Sequence, residues 1–198
     1  MKSLPVYYRN QKIAWMGGKL LKEWFHGQFV PSDREFSKEN NWSPYAILLT
    51  DNARFHPSTE EFCDVEIVVK FMPLNVTPLL QPIDQGVLQT LKLTYRKQFL
   101  RTLIHDDSIP LVDEVKKANV KDVVYWAVEA WLNISEITLR KSWRKLLTFL
   151  EFQDNLVENE EENLLQMIQA IPGCEEASEE DIDEWVAVDV WRTLLTLI

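Results

Sequence analysis

Two short apolar runs, Tyr45–Thr50 (Tyr-Ala-Ile-Leu-Leu-Thr) and Glu66–Met72 (Glu-Ile-Val-Val-Lys-Phe-Met), constrain this chain more than any other feature. Continuous apolar stretches of this length, bounded by turn residues, read as strands buried on both faces. Asp51-Asn52-Ala53 ends the first run, Pro57 breaks the chain soon after, and Pro73 ends the second. Ser58-Thr59-Glu60-Glu61 between them has the composition of a helix start. The pattern is β–α–β, two parallel strands joined by a crossover. It places Asp51 at the carboxyl end of its strand, the edge where α/β sheets carry their chemistry.

Around this pair the periodicity alternates. Leu4–Arg9 reads as a short strand. From Trp15 to Phe29 the spacing predicts a helix with Leu20, Leu21, Trp24 and Phe25 on one face. Pro31 to Pro44 reads as a polar connection. From Pro82 the pattern is helical again, with Val87, Leu88, Leu91, Tyr95 and Phe99 as the apolar stripe. A further helix begins at Asn119, with Asp122 three residues on as in a capping box. Another runs from Thr138 to about Phe152, burying Trp143, Leu146, Leu147 and Leu150. Tryptophans at such spacing are read as core, not as platforms for stacking bases.

The overall charge of −10 is unevenly spread. Residues 151–198 hold fourteen acidic side chains against Arg192, while residues 1–150 hold 20 basic and 17 acidic ones. A slightly basic body therefore carries an acidic tail, and the body is compatible with nucleic acid where the average charge is not. The two cysteines, Cys63 and Cys174, lack neighbours at zinc spacing and read as reduced thiols of an intracellular protein. No apolar stretch approaches the length of a membrane span.

Asp51 and Asp84 are the candidate catalytic and metal-binding residues. By spacing alone Asp51 could simply end a strand, and Asp84 could favour a helix N-terminus. Their surroundings are more specific: Leu48-Leu49-Thr50-Asp51-Asn52-Ala53-Arg54-Phe55-His56-Pro57, then Asn75-Val76-Thr77-Pro78-Leu79-Leu80-Gln81-Pro82-Ile83-Asp84-Gln85-Gly86. Together with Leu4-Pro5-Val6-Tyr7-Tyr8, Glu23-Trp24-Phe25 and Lys141-Ser142-Trp143-Arg144-Lys145-Leu146, they closely resemble the DDE superfamily of transposon-derived endonucleases. The resemblance is to the pogo, Tigger and jerky-like branch and covers roughly residues 3–150.

The resemblance implies a ribonuclease-H-like fold in which three acids surround two Mg²⁺ ions. Asp51 matches the family's second acid and Asp84 the third. The first acid lies on a strand upstream of Leu4-Pro5-Val6-Tyr7 in the family. The chain is thus expected to be α/β: an incomplete ribonuclease-H-like domain lacking its first strands, followed by helices and an acidic tail. Residues 1–152 are assigned to the partial DDE domain, and residues 153–198 to an acidic tail that is partly helical or disordered. Mg²⁺ binding is expected to be weak with two carboxylates. Asn52 and His56 are candidate neighbours of the site, although a loop histidine such as His56 is more often a hydrogen-bonding turn residue.

The expected function is that of a transposase-derived nuclear protein that binds nucleic acid and has lost catalysis. Lys92, Arg96, Lys97 and Arg101 are the candidate phosphate contacts, with an ordinary solvated helix face as the alternative. A different class remains open, an interaction module that binds a protein partner through the acidic tail. A fragment of a longer DDE protein is a further alternative. The apolar end, Val190–Ile198, is read as packing on the body or promoting self-association. No membrane partner is expected.

Overall fold

The computed structural model describes residues 4–9, 16–54, 56–58, 60–103, 115–148, 164–171 and 173–187. They belong to two compact units, Tyr7–Gln81 and Pro82–Ile198, the latter joined by Met1–Val6.

In the Tyr7–Gln81 unit, β1 (Ala46–Thr50) and β2 (Ile67–Phe71) pair in parallel, with Ala46 against Ile67 and Thr50 against Phe71. The Met72 amide donates to the Thr50 carbonyl at 2.9 Å and the Ala46 amide to the Glu66 carbonyl at 3.0 Å, carrying the ladder past both ends. The parallel pair matches the sequence expectation, but burial on both faces does not. Ile67 and Val69 face the core with Ala46 and Leu48 against them, whereas Ile47 is 66% and Val68 50% exposed. The alternation of a strand decides which residues face in. An unbroken apolar run does not reveal that only one face is covered.

Between the strands, the expected helix at Ser58 is a turn. The Glu61 and Phe62 amides donate to the Ser58 carbonyl at 3.1 and 3.0 Å, and no helix forms among the described residues 51–66. Phe62 anchors the crossover instead: it is fully buried, its ring edge-on to Phe25 at 4.5 Å.

The layer over the sheet is helical. α1 (Gly18–Trp24) runs through a π turn (Phe25–Phe29) into α2 (Val30–Glu39). The Val30 amide donates to the Phe25 carbonyl, five residues back, which widens the helix by one residue. Pro31 lies in the first turn of α2, where a missing N–H is tolerated. The polar connection expected from Pro31 is therefore helix as far as Glu39. α2 stops at Asn40, and Asn41 takes φ 53°, a conformation asparagine tolerates. Leu21, Phe25 and Val30 pack with Phe62, Ile67 and Val69 into one core, each contributing about 1.5–3 kcal/mol of burial. α3 (Thr77–Leu80) closes the unit after a turn in which Asn75 holds φ 64°.

The expected strand over Leu4–Arg9 does not form. Tyr7 and Arg9 engage the Glu23 side chain rather than a strand ladder. The Tyr7 hydroxyl donates to Glu23 Oε1 at 2.6 Å, and Arg9 Nε and Nη2 donate to the same oxygen at 2.9 and 2.7 Å. The Tyr7 bond, then Arg9, holds Glu23 below the usual carboxylate range.

The other unit starts with a 3-10 turn (Pro82–Asp84) and then α4 (Val87–Leu103). α5 (Val120–Leu132) has the predicted capping box: the Asn119 side chain accepts from the Lys121 and Asp122 amides, and Asp122 accepts from the Asn119 amide. α6 (Glu136–Trp143) is capped by the Ser135 hydroxyl, which accepts from the Thr138 amide. It is shorter than expected, and its buried position is Ser142 rather than Trp143, a rotation of one residue. Leu150 and Phe152 lie outside the described residues.

α4 is packed along two stripes. Leu91 and Tyr95 meet Ala130, Val123 and Trp126 of α5. Leu93, Phe99 and Leu100 meet α7 (Leu164–Gln169) and α8 (Glu179–Ala187) through Leu164, Ile182 and Val186. The described helices of the acidic tail thus pack on α4 within one unit. Glu158–Glu162 and Val190–Ile198 lie outside the described residues. No helix among the described residues is long and apolar enough to cross a membrane.

Candidate functional site

Asp51 directly follows the last residue of β1, so the strand ladder fixes its backbone while its side chain, 40% exposed, faces solvent. The chain then doubles back: the His56 amide donates to the Ala53 carbonyl at 3.0 Å. This returns the His56 ring to Asp51. Its Nδ1 lies 3.1 Å from the Asp51 carbonyl oxygen and 3.2 Å from Asp51 Oδ1. As the Nδ1–H tautomer, the ring donates to both oxygens. On its other side the ring tilts against Phe71 of β2, centroids 6.1 Å apart. The histidine therefore ties the Asp51 carboxylate to the ends of both strands. Asn52 is exposed beside it.

Asp84 belongs to the Pro82–Ile198 unit, where it ends the 3-10 turn and is exposed. The Gln85 amide donates to the Pro82 carbonyl at 3.0 Å, and Gly86 then takes φ 91°, which a side chain would strain. The Gly86 carbonyl accepts from the Thr90 amide and hydroxyl, both at 3.0 Å, locking the turn to α4. The Asp-Gln-Gly of the sequence is thus an acid, a linker and the one residue type that makes the turn without strain. α6 packs against this turn.

Of the four candidate phosphate contacts on α4, Lys92 and Lys97 are half-buried and Arg101 is exposed. Arg96 departs from the expected solvated face. It is 1% exposed, with its guanidinium carbon 4.4 Å from the centroid of Trp185. Burial pulls its pKa below the usual arginine value. Position 96 lies on the second stripe of α4, between Leu93 and Leu100, and the α8 aromatic covers it. The three-and-four spacing of Leu93, Arg96 and Leu100 carried that signal. Sequence reasoning also passed over the cations of α6 and of the turn after it, Arg140, Lys141 and Lys145, all of them exposed.

The structure brings together Asp51 and His56; Asp84 stands in its own turn in the other unit. Among the described residues, no group of three or more His, Cys, Asp or Glu side chains gathers as a metal cage. By donor type both aspartates suit Mg²⁺, which favours hard oxygen ligands and keeps several waters when protein ligands are few.

Comparison with known proteins agrees with the motif. The family model for the DDE superfamily endonuclease matches residues 1–143. The human Jerky protein homolog is 31% identical over 163 residues, covering 81% of this chain and 28% of that protein. Human Tigger transposable element-derived protein 7 is 32% identical over 160 residues, covering 73% of this chain and 29% of that protein. The mouse Jerky protein is 29% identical over 163 residues, with 81% and 28% covered. A mixed helix-and-strand chain with a parallel pair is compatible with a ribonuclease-H-like domain of this kind. The chain belongs to the DDE superfamily endonuclease family. It spans less than a third of the length of these relatives. No solved structure matches it.

Proposed function

We propose that this chain is part of a transposase-derived nuclear protein that associates with nucleic acid through an incomplete ribonuclease-H-like core and does not cleave DNA by itself. The observation that carries this is Asp51. The residue matching the family's second acid stands at the carboxyl end of a parallel strand, with His56 fixing its carboxylate. Asp84, matching the third, sits on a turn locked by Gly86. A Mg²⁺ ion held by such an acid would supply activation of water and neutralisation of phosphate charge. A single carboxylate would hold it weakly, because the ion gives up its waters reluctantly.

Lys92, Lys97 and Arg101 serve as backbone contacts, which position nucleic acid without reading its bases. Against a net charge of −10, such binding is weak and falls steeply with salt. The competing reading, capture of a protein by the acidic tail, is less well supported: Ile182 and Val186, the apolar anchors α8 would offer, are buried within their own unit.

Purified protein incubated with supercoiled plasmid and Mg²⁺ or Mn²⁺ tests the reading. Intact plasmid is the expected result. Nicking that disappears in Asp84→Ala would sink the claim of inactivity.

A further inference from the structure

α2 ends in a hydrogen-bonded turn that fixes two aromatic rings at its C-terminus. The Trp42 amide donates to the Ser37 carbonyl at 2.8 Å and the Asn41 amide to the Lys38 carbonyl at 3.3 Å, with Asn41 at φ 53°. These are the paired bonds of a Schellman cap, which closes with an apolar contact back to the last full turn of the helix. Trp42 and Phe36 make that contact, ring centroids 5.3 Å apart and planes at 86°. The cap accounts for the contact but not for its exposure: Phe36 is 52% and Trp42 63% exposed. Nor does it account for the charge beside the rings. Glu39 lies three residues from Phe36, a neighbour on the helix surface. It stands in the last turn, where the helix dipole disfavours an acid, and has no hydrogen-bond or ion-pair partner among the described residues. Asp33, three residues the other way, has a buried Oδ2 without a hydrogen-bond partner. Of the two cations of α2, Arg34 is held by Asp64 and Glu66, and Lys38, two residues from Phe36, does not face it.

We propose that Phe36 and Trp42 form a binding corner for the trimethylated side chain of a lysine on a partner protein, with Glu39 supplying the counter-charge. Two rings at right angles offer a cation two π-faces at once, each negative at its centre. A quaternary ammonium has no N–H to satisfy, so it can leave water for a site whose walls are rings. An unmodified lysine is a compact, strongly hydrated charge and keeps its waters. A neutral apolar side chain leaves Glu39 unused, and a nucleic-acid strand is repelled by it. The Schellman bonds hold both rings before any ligand arrives, which lowers the ordering cost of binding. This site is independent of the reading that the chain associates with nucleic acid.

The test is fluorescence anisotropy of labelled glycine-flanked peptides titrated with the full chain. One peptide carries trimethyllysine, one unmodified lysine, and one a neutral isostere with carbon in place of the ammonium nitrogen. The trimethyl peptide is expected to bind, and the other two to bind at least about fivefold more weakly. Phe36→Leu and Trp42→Leu keep an apolar contact for the cap and remove one π-face each, so each is expected to weaken trimethyllysine binding about fivefold. Glu39→Gln is expected to weaken it about threefold. Trp131→Leu, which removes an exposed indole on α5, leaves binding unchanged. Thermal melts that match wild type show that the variants are folded. An isostere that binds as tightly as the trimethyl peptide overturns the cation, and unmodified lysine that binds as tightly overturns the methylated occupant. Trp42→Leu binding like wild type, or wild type failing to bind the trimethyl peptide, overturns the site.

Discussion

Arg96 and Trp185 form a buried cation–π pair, the guanidinium carbon 4.4 Å from the indole centroid and Arg96 1% exposed. The pair joins α4 to α8, with Leu100, Ile182 and Val186 buried around it. The Arg96 stem fills apolar space while its head rests on the ring. Trp185→Ala is expected to cost about 2 kcal/mol of unfolding free energy, combining a partial cavity with the lost cation–π contact. Arg96→Met, which keeps the stem and removes a desolvated charge, is expected to stay within about 1 kcal/mol of wild type. Urea melts of both variants decide it. A methionine variant as unstable as Trp185→Ala would mean that charge, not packing, holds the two helices.

One position earlier, burial pushes the Tyr95 hydroxyl up to about 12 from its ordinary 10.0, with Arg96 pulling slightly the other way. The protonated phenol is the form that the folded chain keeps. Below pH 10 both states hold the proton and the stability is intact. As pH rises from about 10 through about 12 the unfolded chain ionises first, and stability is lost. Urea midpoints measured at about pH 9 and about pH 11 should fall more for wild type than for Tyr95→Phe. Equal falls in the two proteins contradict the assignment.

The capping box at Asn119 satisfies two of the first amides of α5. Asn119→Ala is expected to lower stability by about 1 kcal/mol, and Asn119→Asp to preserve it. Thermal melts of the two variants distinguish capping from a loss specific to the amide group.

That box was legible because everything it needs lies within four residues. So was the parallel pair, whose members are set by local composition and by the prolines that end them. The helix over Val30–Glu39 was not, because Pro31 reads as a break unless the π turn before it is known. Ile47 and Val68 look like core residues in the sequence, and only tertiary packing shows that their face of the sheet is uncovered. For Arg96 and Trp143 the error has one origin. A helix has several faces, and which of them is covered depends on partners far away in sequence: Trp185 in one case, the Pro82–Asp84 turn in the other. At the candidate site, Asp51 and Asp84 were legible as motif members. The contact of His56 with Asp51 became specific only once the Ala53–His56 turn was seen to close.

His56 touches Asp51 by two means that can be separated. Its Nδ1 contacts the Asp51 carbonyl and carboxylate, and its ring packs on Phe71. His56→Phe keeps an aromatic ring and removes the donor, so stability is expected to change by less than about 1 kcal/mol. The carboxylate loses its orienting partner, and Mn²⁺ affinity, read from the electron paramagnetic resonance signal of the free ion, is expected to fall about tenfold. Asp51→Asn removes the charged ligand and should abolish the same binding, whereas Asn52→Ala should leave it within about threefold, since a neutral amide is the weaker oxygen donor. His56→Phe binding Mn²⁺ as tightly as wild type would reduce the histidine to a packing residue and leave Asp51 to orient itself.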